Sequence, residues 1–84
     1  MKRQCYGRVI GCVAPGMVDA VVGAHLDGEL WPWQIPIDEV PIELRIGNSE
    51  LLIVVETRPW TILSIQRYDE AVWQENLLAF PSGL

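Results

Sequence analysis

Leu51-Leu52-Ile53-Val54-Val55, flanked by Glu50 and by Glu56-Thr57, is the stretch on which the fold turns. Five consecutive aliphatic residues show no alternation, so neither face of a strand built from them can sit in water. Such a strand must be central and covered on both sides. A helix is the competing reading, but the run is short, β-branched at three of five positions and closed off by Pro59. The stretch therefore reads as the middle strand of a sheet, spanning about 50–57.

Working outward, Thr57-Arg58-Pro59 makes a reversal into a further strand over 60–67. In it Trp60 and Ile62 share one side, while Leu63 and Ile65 are staggered between the faces. Asp69 is a candidate N-cap, and Glu70 in the first turn suits the helix dipole. Val72, Trp73, Leu77 and Phe80 recur at spacings of three and four, which predicts a helix over about 70–79 with one stripe on the sheet. Pro81 stops it. Ser82-Gly83-Leu84 reads as a loose tail.

Upstream, Ile42, Leu44 and Ile46 alternate with Glu43 and Arg45, predicting a half-buried strand over 42–46. Gly47-Asn48-Ser49 turns that strand into the central one. Before it lies Asp38-Glu39-Val40-Pro41, a polar corner. Gln4 to Val13 reads as a first strand, with Cys5, Gly7, Val9, Gly11 and Val13 on one side and Tyr6, Arg8, Ile10 and Cys12 on the other. Ala14-Pro15-Gly16 breaks it in a turn. Val18, Ala20, Val22, Ala24 and Leu26 then alternate over 17–26, and Asp27-Gly28 signals a hairpin. The return strand, about 29–37, contains Pro32 and Pro36, which cannot donate backbone hydrogen bonds. It belongs at an edge of the sheet or leaves it.

Fold class follows: one small domain, mainly β with one helix (α+β), an antiparallel meander or barrel of five to six short strands capped by a C-terminal helix. The strand count is similar to that of SH3-like and OB-like barrels, but no stretch of residues carries a family motif, and fold analogy alone does not fix function.

Composition narrows the function classes. The 84 residues carry four Trp, and half of them are hydrophobic, which argues against disorder. A net charge of −5, with six basic residues that form no run, argues against binding a nucleic-acid backbone. No segment approaches the roughly 20 apolar residues of a membrane helix. No secretory signal is present, because Gln4, Gly7 and Arg8 interrupt the apolar stretch behind Lys2-Arg3. On one extended strand Cys5 and Cys12 lie ~23 Å apart, beyond disulfide reach, so both read as reduced thiols of a cytoplasmic protein. A chain that opens at Met1 with no tag or leader reads as a complete small protein.

Catalytic constellations are thin. His25 is the only histidine, near Asp27 and Glu29, and is conceivable as a base or ligand, but the plainer reading is an exposed hairpin residue. Cys5, Cys12 and His25 have no zinc-ligand spacing. Ser49, Ser64 and Ser82 sit in no nucleophile elbow, and Gly7 and Gly11 build no phosphate loop. The acid pairs Asp38-Glu39 and Asp69-Glu70 read as solvated. No enzyme, no cofactor and no metal are expected.

What remains is Leu30-Trp31-Pro32-Trp33-Gln34-Ile35-Pro36-Ile37, in which Trp31, Trp33, Ile35 and Ile37 point one way if the chain is extended. One reading packs this face on the domain's own core. The other leaves part of it exposed as a protein-binding or self-association patch formed by Trp31, Trp33 and Ile35, with Asp38, Glu39 and Glu43 beside it for a basic partner. The expected function is a non-catalytic interaction or self-assembly module, such as a small regulator of a larger partner. The alternative is a barrel holding a small apolar ligand in room left by Gly7, Gly11, Ala20 and Ala24.

Overall fold

The computed structural model describes residues 1–12 and 14–82. Five strands form one antiparallel sheet: β1 Lys2–Gly11, β2 Met17–Gly23, β3 Leu30–Pro36, β4 Glu50–Thr57 and β5 Trp60–Arg67. Their spatial order is β3-β2-β1-β4-β5. Two 3-10 turns, Ile37–Glu39 and Ile42–Leu44, carry the chain from β3 back across the sheet to β4, and one helix, α1 Glu70–Asn76, follows β5.

The aliphatic run that decides the fold is buried along its whole length, Leu51 to Val55. β4 pairs with β1 on one side and β5 on the other, with Cys5 opposite Ile53 and Ile53 opposite Ile65. The expectation that this run is the middle strand needs one correction: β1 occupies the middle position, and β4 is its interior neighbour. Both faces of β4 are covered, because alternate residues feed two separate clusters. Leu51, Ile53 and Val55 join Cys5, Val9, Val18, Val22 and Ile35 on the inner face. Leu52 and Val54 join Tyr6 and Trp73 on the outer face. At about 1.5–3 kcal/mol for each fully buried aliphatic side chain, the inner cluster is the main source of stability.

β1 alternates as its sequence implies, with a bulge between Val9 and Gly11; Val13 lies outside the described residues. Gly16 takes a positive φ of 76° in the turn that follows. β2 ends at Gly23, earlier than the expected 17–26. The connection to β3 is a six-residue loop, 24–29, rather than a two-residue hairpin, with a turn closed by Gly28 N–H on the His25 carbonyl at 3.0 Å. Gly23 sits opposite Leu30. A Cβ there would come within 2.2 Å of the Glu29 carbonyl oxygen, so only glycine lets the loop close.

The strand expected over 42–46 does not form. Pro41, with φ of −52°, starts a 3-10 turn instead. With three residues per turn, only Leu44 of the three apolar positions turns inward, beside Val40, while Ile42 and Ile46 are exposed. The Arg45 Nε–H donates to the Val40 carbonyl at 2.8 Å and fixes this conformation.

β5 spans the expected residues. An irregularity opposite Val54/Val55 leaves Leu63 without a partner, which accounts for its stagger between the faces. In α1, Asp69 caps the Ala71 and Val72 amides at 2.9 and 3.2 Å. The helix ends at Asn76, short of the expected 79, and Leu77 stays partly exposed while Val72, Trp73 and Phe80 pack on the outer face. Gln4, fully buried, donates from Nε2 to the Trp73 carbonyl at 2.9 Å and ties α1 to β1. Its Oε1 has no hydrogen-bond partner among the described residues. The expected loose tail is anchored at its first residue, since Ser82 forms a parallel bridge with Gln4; Gly83 and Leu84 lie outside the described residues.

Candidate functional site

The site lies where the two edge strands of the curled sheet come together. β3 and β5 are at opposite ends of the strand order, yet the Trp33 and Trp60 rings meet edge to face, with centroids 5.7 Å apart and planes at 63°. No backbone ladder joins the two strands, so the sheet stays open at this seam. The first 3-10 turn, directly after β3, also lies against β5.

Register explains which side chains reach the seam. Val22 faces Trp31, Ala20 faces Trp33 and Val18 faces Ile35, so all six side chains lie on the inner face of the sheet. The expectation that Trp31, Trp33, Ile35 and Ile37 share one face agrees with this register and with the packing of Trp33 and Ile37 on the inner core. Burial then falls along the strand. Ile35 is fully buried, Trp33 is half-buried, and Trp31 is 57% exposed. Ile35 is therefore a core residue and not part of an exposed patch. Sheet coil causes the gradient: the inner face is closed over by the opposite strand at Ile35 and flares open at Trp31.

Trp31, Pro32 and Trp33 on one side and Trp60 on the other, with Val22 at the base, line a cleft of about 220 Å³. Trp60 is 46% exposed. Sequence reasoning placed Trp60 in a strand but did not bring it to the site, because contact between strands that are not neighbours in the sheet leaves no local signal. None of the three indole N–H groups has a hydrogen-bond partner among the described residues. No ionisable residue lines the cleft.

Asp38 and Glu39 are exposed on the first 3-10 turn, and Glu43 is exposed on the second. None is in an ion pair among the described residues, where the single pair joins the N-terminal ammonium to Glu56 at 2.6 Å. A second hollow, about 540 Å³, lies on the outer face against Ile10, Val21 and Pro32. Its polar groups, Asp19 and Gln34, are satisfied by each other at 2.9 Å.

Candidate chemistry elsewhere is occupied by structure. His25 is exposed, and its Nδ1 accepts from the Asp27 amide at 3.2 Å. No group of three or more His, Cys, Asp or Glu among the described residues could hold a metal ion. Burial pushes the Cys5 thiol up to about 11, while Cys12 is exposed; neither forms a disulfide. Burial, and then a hydrogen bond donated to Glu50, push the Tyr6 hydroxyl up to about 12. Tyr68, donating to Glu70 at 2.9 Å, is likewise raised to about 12, by burial first. Hydrogen bonds from Gln74 and Tyr68 hold the Glu70 carboxyl below its usual range. Both tyrosines stay protonated at neutral pH, packed edge to face at 5.3 Å. No helix among the described residues is long and apolar enough to cross a membrane.

No family model, curated protein or solved structure matches the chain.

Proposed function

We propose that the protein is a non-catalytic interaction module that captures a protein partner in the Trp31–Trp33–Trp60 cleft. The observation that supports this reading is the exposure of Trp31 and Trp60, 57% and 46%, on opposite walls of one apolar cleft. Large aromatic side chains left in water around a concave surface are the usual anchors of protein interfaces. Burying them against a partner recovers apolar stabilisation at about 25 cal/mol per Å².

Cavity size separates this reading from a small-ligand barrel. Drug-sized ligands occupy clefts of roughly 300–1,000 Å³, above the volume of the Trp cleft; the larger hollow lies on the outer face and not within the curl of the sheet. The room expected beside Gly7 is already filled, since a Cβ there would meet Ile53 Cδ1 at 3.0 Å. The cleft suits one or two side chains of a peptide instead. The test is the native mass of protein purified gently from its own host, comparing wild type with Trp31→Ala. Extra protein mass on the wild type alone is the expected result. Identical bare monomers of both would contradict the proposal.

A further inference from the structure

We propose that the occupant of the cleft is a proline-rich segment of a partner protein in the polyproline II conformation, with a Lys or Arg of that segment lying beside Asp38 and Glu39. This rests on the reading of the cleft as a protein-binding site, and it names the partner's chemistry from three features.

The lining comes first. Val22, Trp31, Pro32, Trp33 and Trp60 offer flat aromatic walls and no charge, so a carboxylate has no partner within the cleft itself. Proline rings are apolar, compact and held in place by the backbone, which keeps the ordering cost of binding low. Aromatic-lined grooves recognise them for that reason.

The indole donors come second. The indole N–H groups of Trp31, Trp33 and Trp60 have no acceptors among the described residues. A polyproline II chain has no internal hydrogen bonds, so its carbonyls are free to accept from them. A segment adding to β3 as a strand meets the opposite problem. Ile37 N–H donates to the Gly16 carbonyl on the β2 side, so by alternation positions 36, 34, 32 and 30 face outward. Two of those four are proline and have no N–H to offer. Strand addition at this edge is therefore weak, and an extended ligand held by side chains is favoured.

Charge comes third. β3 and β5 run in the same direction, as the four antiparallel pairings require. At the trailing end of β3 the turn carries Asp38 and Glu39, exposed, outside any ion pair, and set against β5. A basic residue flanking the proline segment on that side satisfies the acids, and the net charge of −5 draws such a ligand in.

Titration of intrinsic tryptophan fluorescence tests this with four synthetic probes: a short oligoproline ending in Lys-Arg, the same oligoproline uncharged, the same ending in Glu-Glu, and a Gly-Ser peptide ending in Lys-Arg. The basic oligoproline should bind tightest. Trp31→Ala should remove binding, and Trp60→Phe should weaken it while keeping the ring contact with Trp33. Asp38→Asn with Glu39→Gln should weaken the basic probe about three- to tenfold, as expected for exposed pairs, and leave the uncharged one unchanged. Equal binding of the Gly-Ser peptide, or binding that survives Trp31→Ala, would overturn the proposal. If no oligoproline binds but the native complex of the wild type is lost in Trp31→Ala, the polyproline assignment fails and the protein-binding reading stands. A native mass that is a clean multiple of the chain and falls to monomer in Trp31→Ala would instead place a second copy in the cleft. No binding together with a native mass indifferent to Trp31 overturns both readings.

Discussion

The two edges of this sheet are protected by different means. At β3 the protection is chemical, since Pro32 and Pro36 delete two of the four outward-facing amides. At β5 no proline interrupts the strand, and Tyr68 N–H on the Glu50 carbonyl sets the alternation that turns the Ile65 and Arg67 amides outward. There the protection comes from the rest of the chain, because the turn after β3 and the Trp33 ring are brought against β5 by the coil of the sheet. The difference shows why a cleft exists at all. A sheet of five strands has curled toward closure, and a Trp–Trp contact stands where a fifth, closing ladder would be. Aromatic side chains near the mouth of such a seam have walls but no lid.

Breaking the β3 edge from its neighbour has the largest expected effect. Gly23→Ala pushes a methyl group into the Glu29 carbonyl, so β3 must shift away from β2, at a cost of about 3 kcal/mol or more. Urea denaturation followed by tryptophan emission measures it. Gly11→Ala is the control, since nothing lies within 4 Å of the added Cβ, and it should change stability by less than about 0.5 kcal/mol.

Opening the seam itself comes next. Trp60→Ala removes the ring that holds Trp33 and should cost roughly 2 kcal/mol, below the range for a fully buried Trp because half of Trp60 is in water. Trp60→Phe should restore most of that loss in the same denaturation experiment.

Alkali separates the two edges. Tyr6 and Tyr68 lie on the β1–β4–β5 side, between the outer face of the sheet and α1. Each has a folded-state pKa near 12 against an ordinary value of 10. The folded state therefore holds more protons than the unfolded state between pH 10 and 12. Stability from these groups is complete below pH 10 and declines as pH rises toward 12. Tyr6→Phe with Tyr68→Phe should flatten that decline, while the seam at Trp33–Trp60 is unaffected at its onset. Denaturation midpoints across that pH range, for wild type and double variant, provide the check.

Restoring the missing amides is the mildest change. Pro32→Ala with Pro36→Ala should cost about 0.4–1 kcal/mol per site through the unfolded chain. It should also give β3 a full row of outward donors and raise concentration-dependent self-association in sedimentation. A variant as monomeric as wild type would show that the prolines are not what protects this edge.

Much of the fold was legible in the sequence because it depends on local pattern. Leu51–Val55 demanded burial on both faces, Asp69 and the spacing through Trp73 marked the helix, and Pro32 and Pro36 marked an edge. The strand expected at Ile42–Ile46 failed because perfect alternation over five residues is also compatible with a 3-10 turn once Pro41 presets the first φ. Placing β1 rather than β4 in the middle required the crossover between β3 and β4, which no local residue encodes. That Trp31 and Trp33 share one face was legible from their spacing on a proline-punctuated strand. Ile35 looked equivalent to them and was not, because burial along β3 depends on how far the sheet coils. Trp60 could not be assigned to the site for the same reason.

Of all these experiments, the native mass comparison bears most directly on the cleft. Wild-type protein drawn gently from its host should carry additional protein mass, and Trp31→Ala should be a bare, folded monomer by the same spectrum and by circular dichroism. Wild type and Trp31→Ala with the same mass would contradict the central claim that this aromatic cleft is where the protein meets its partner.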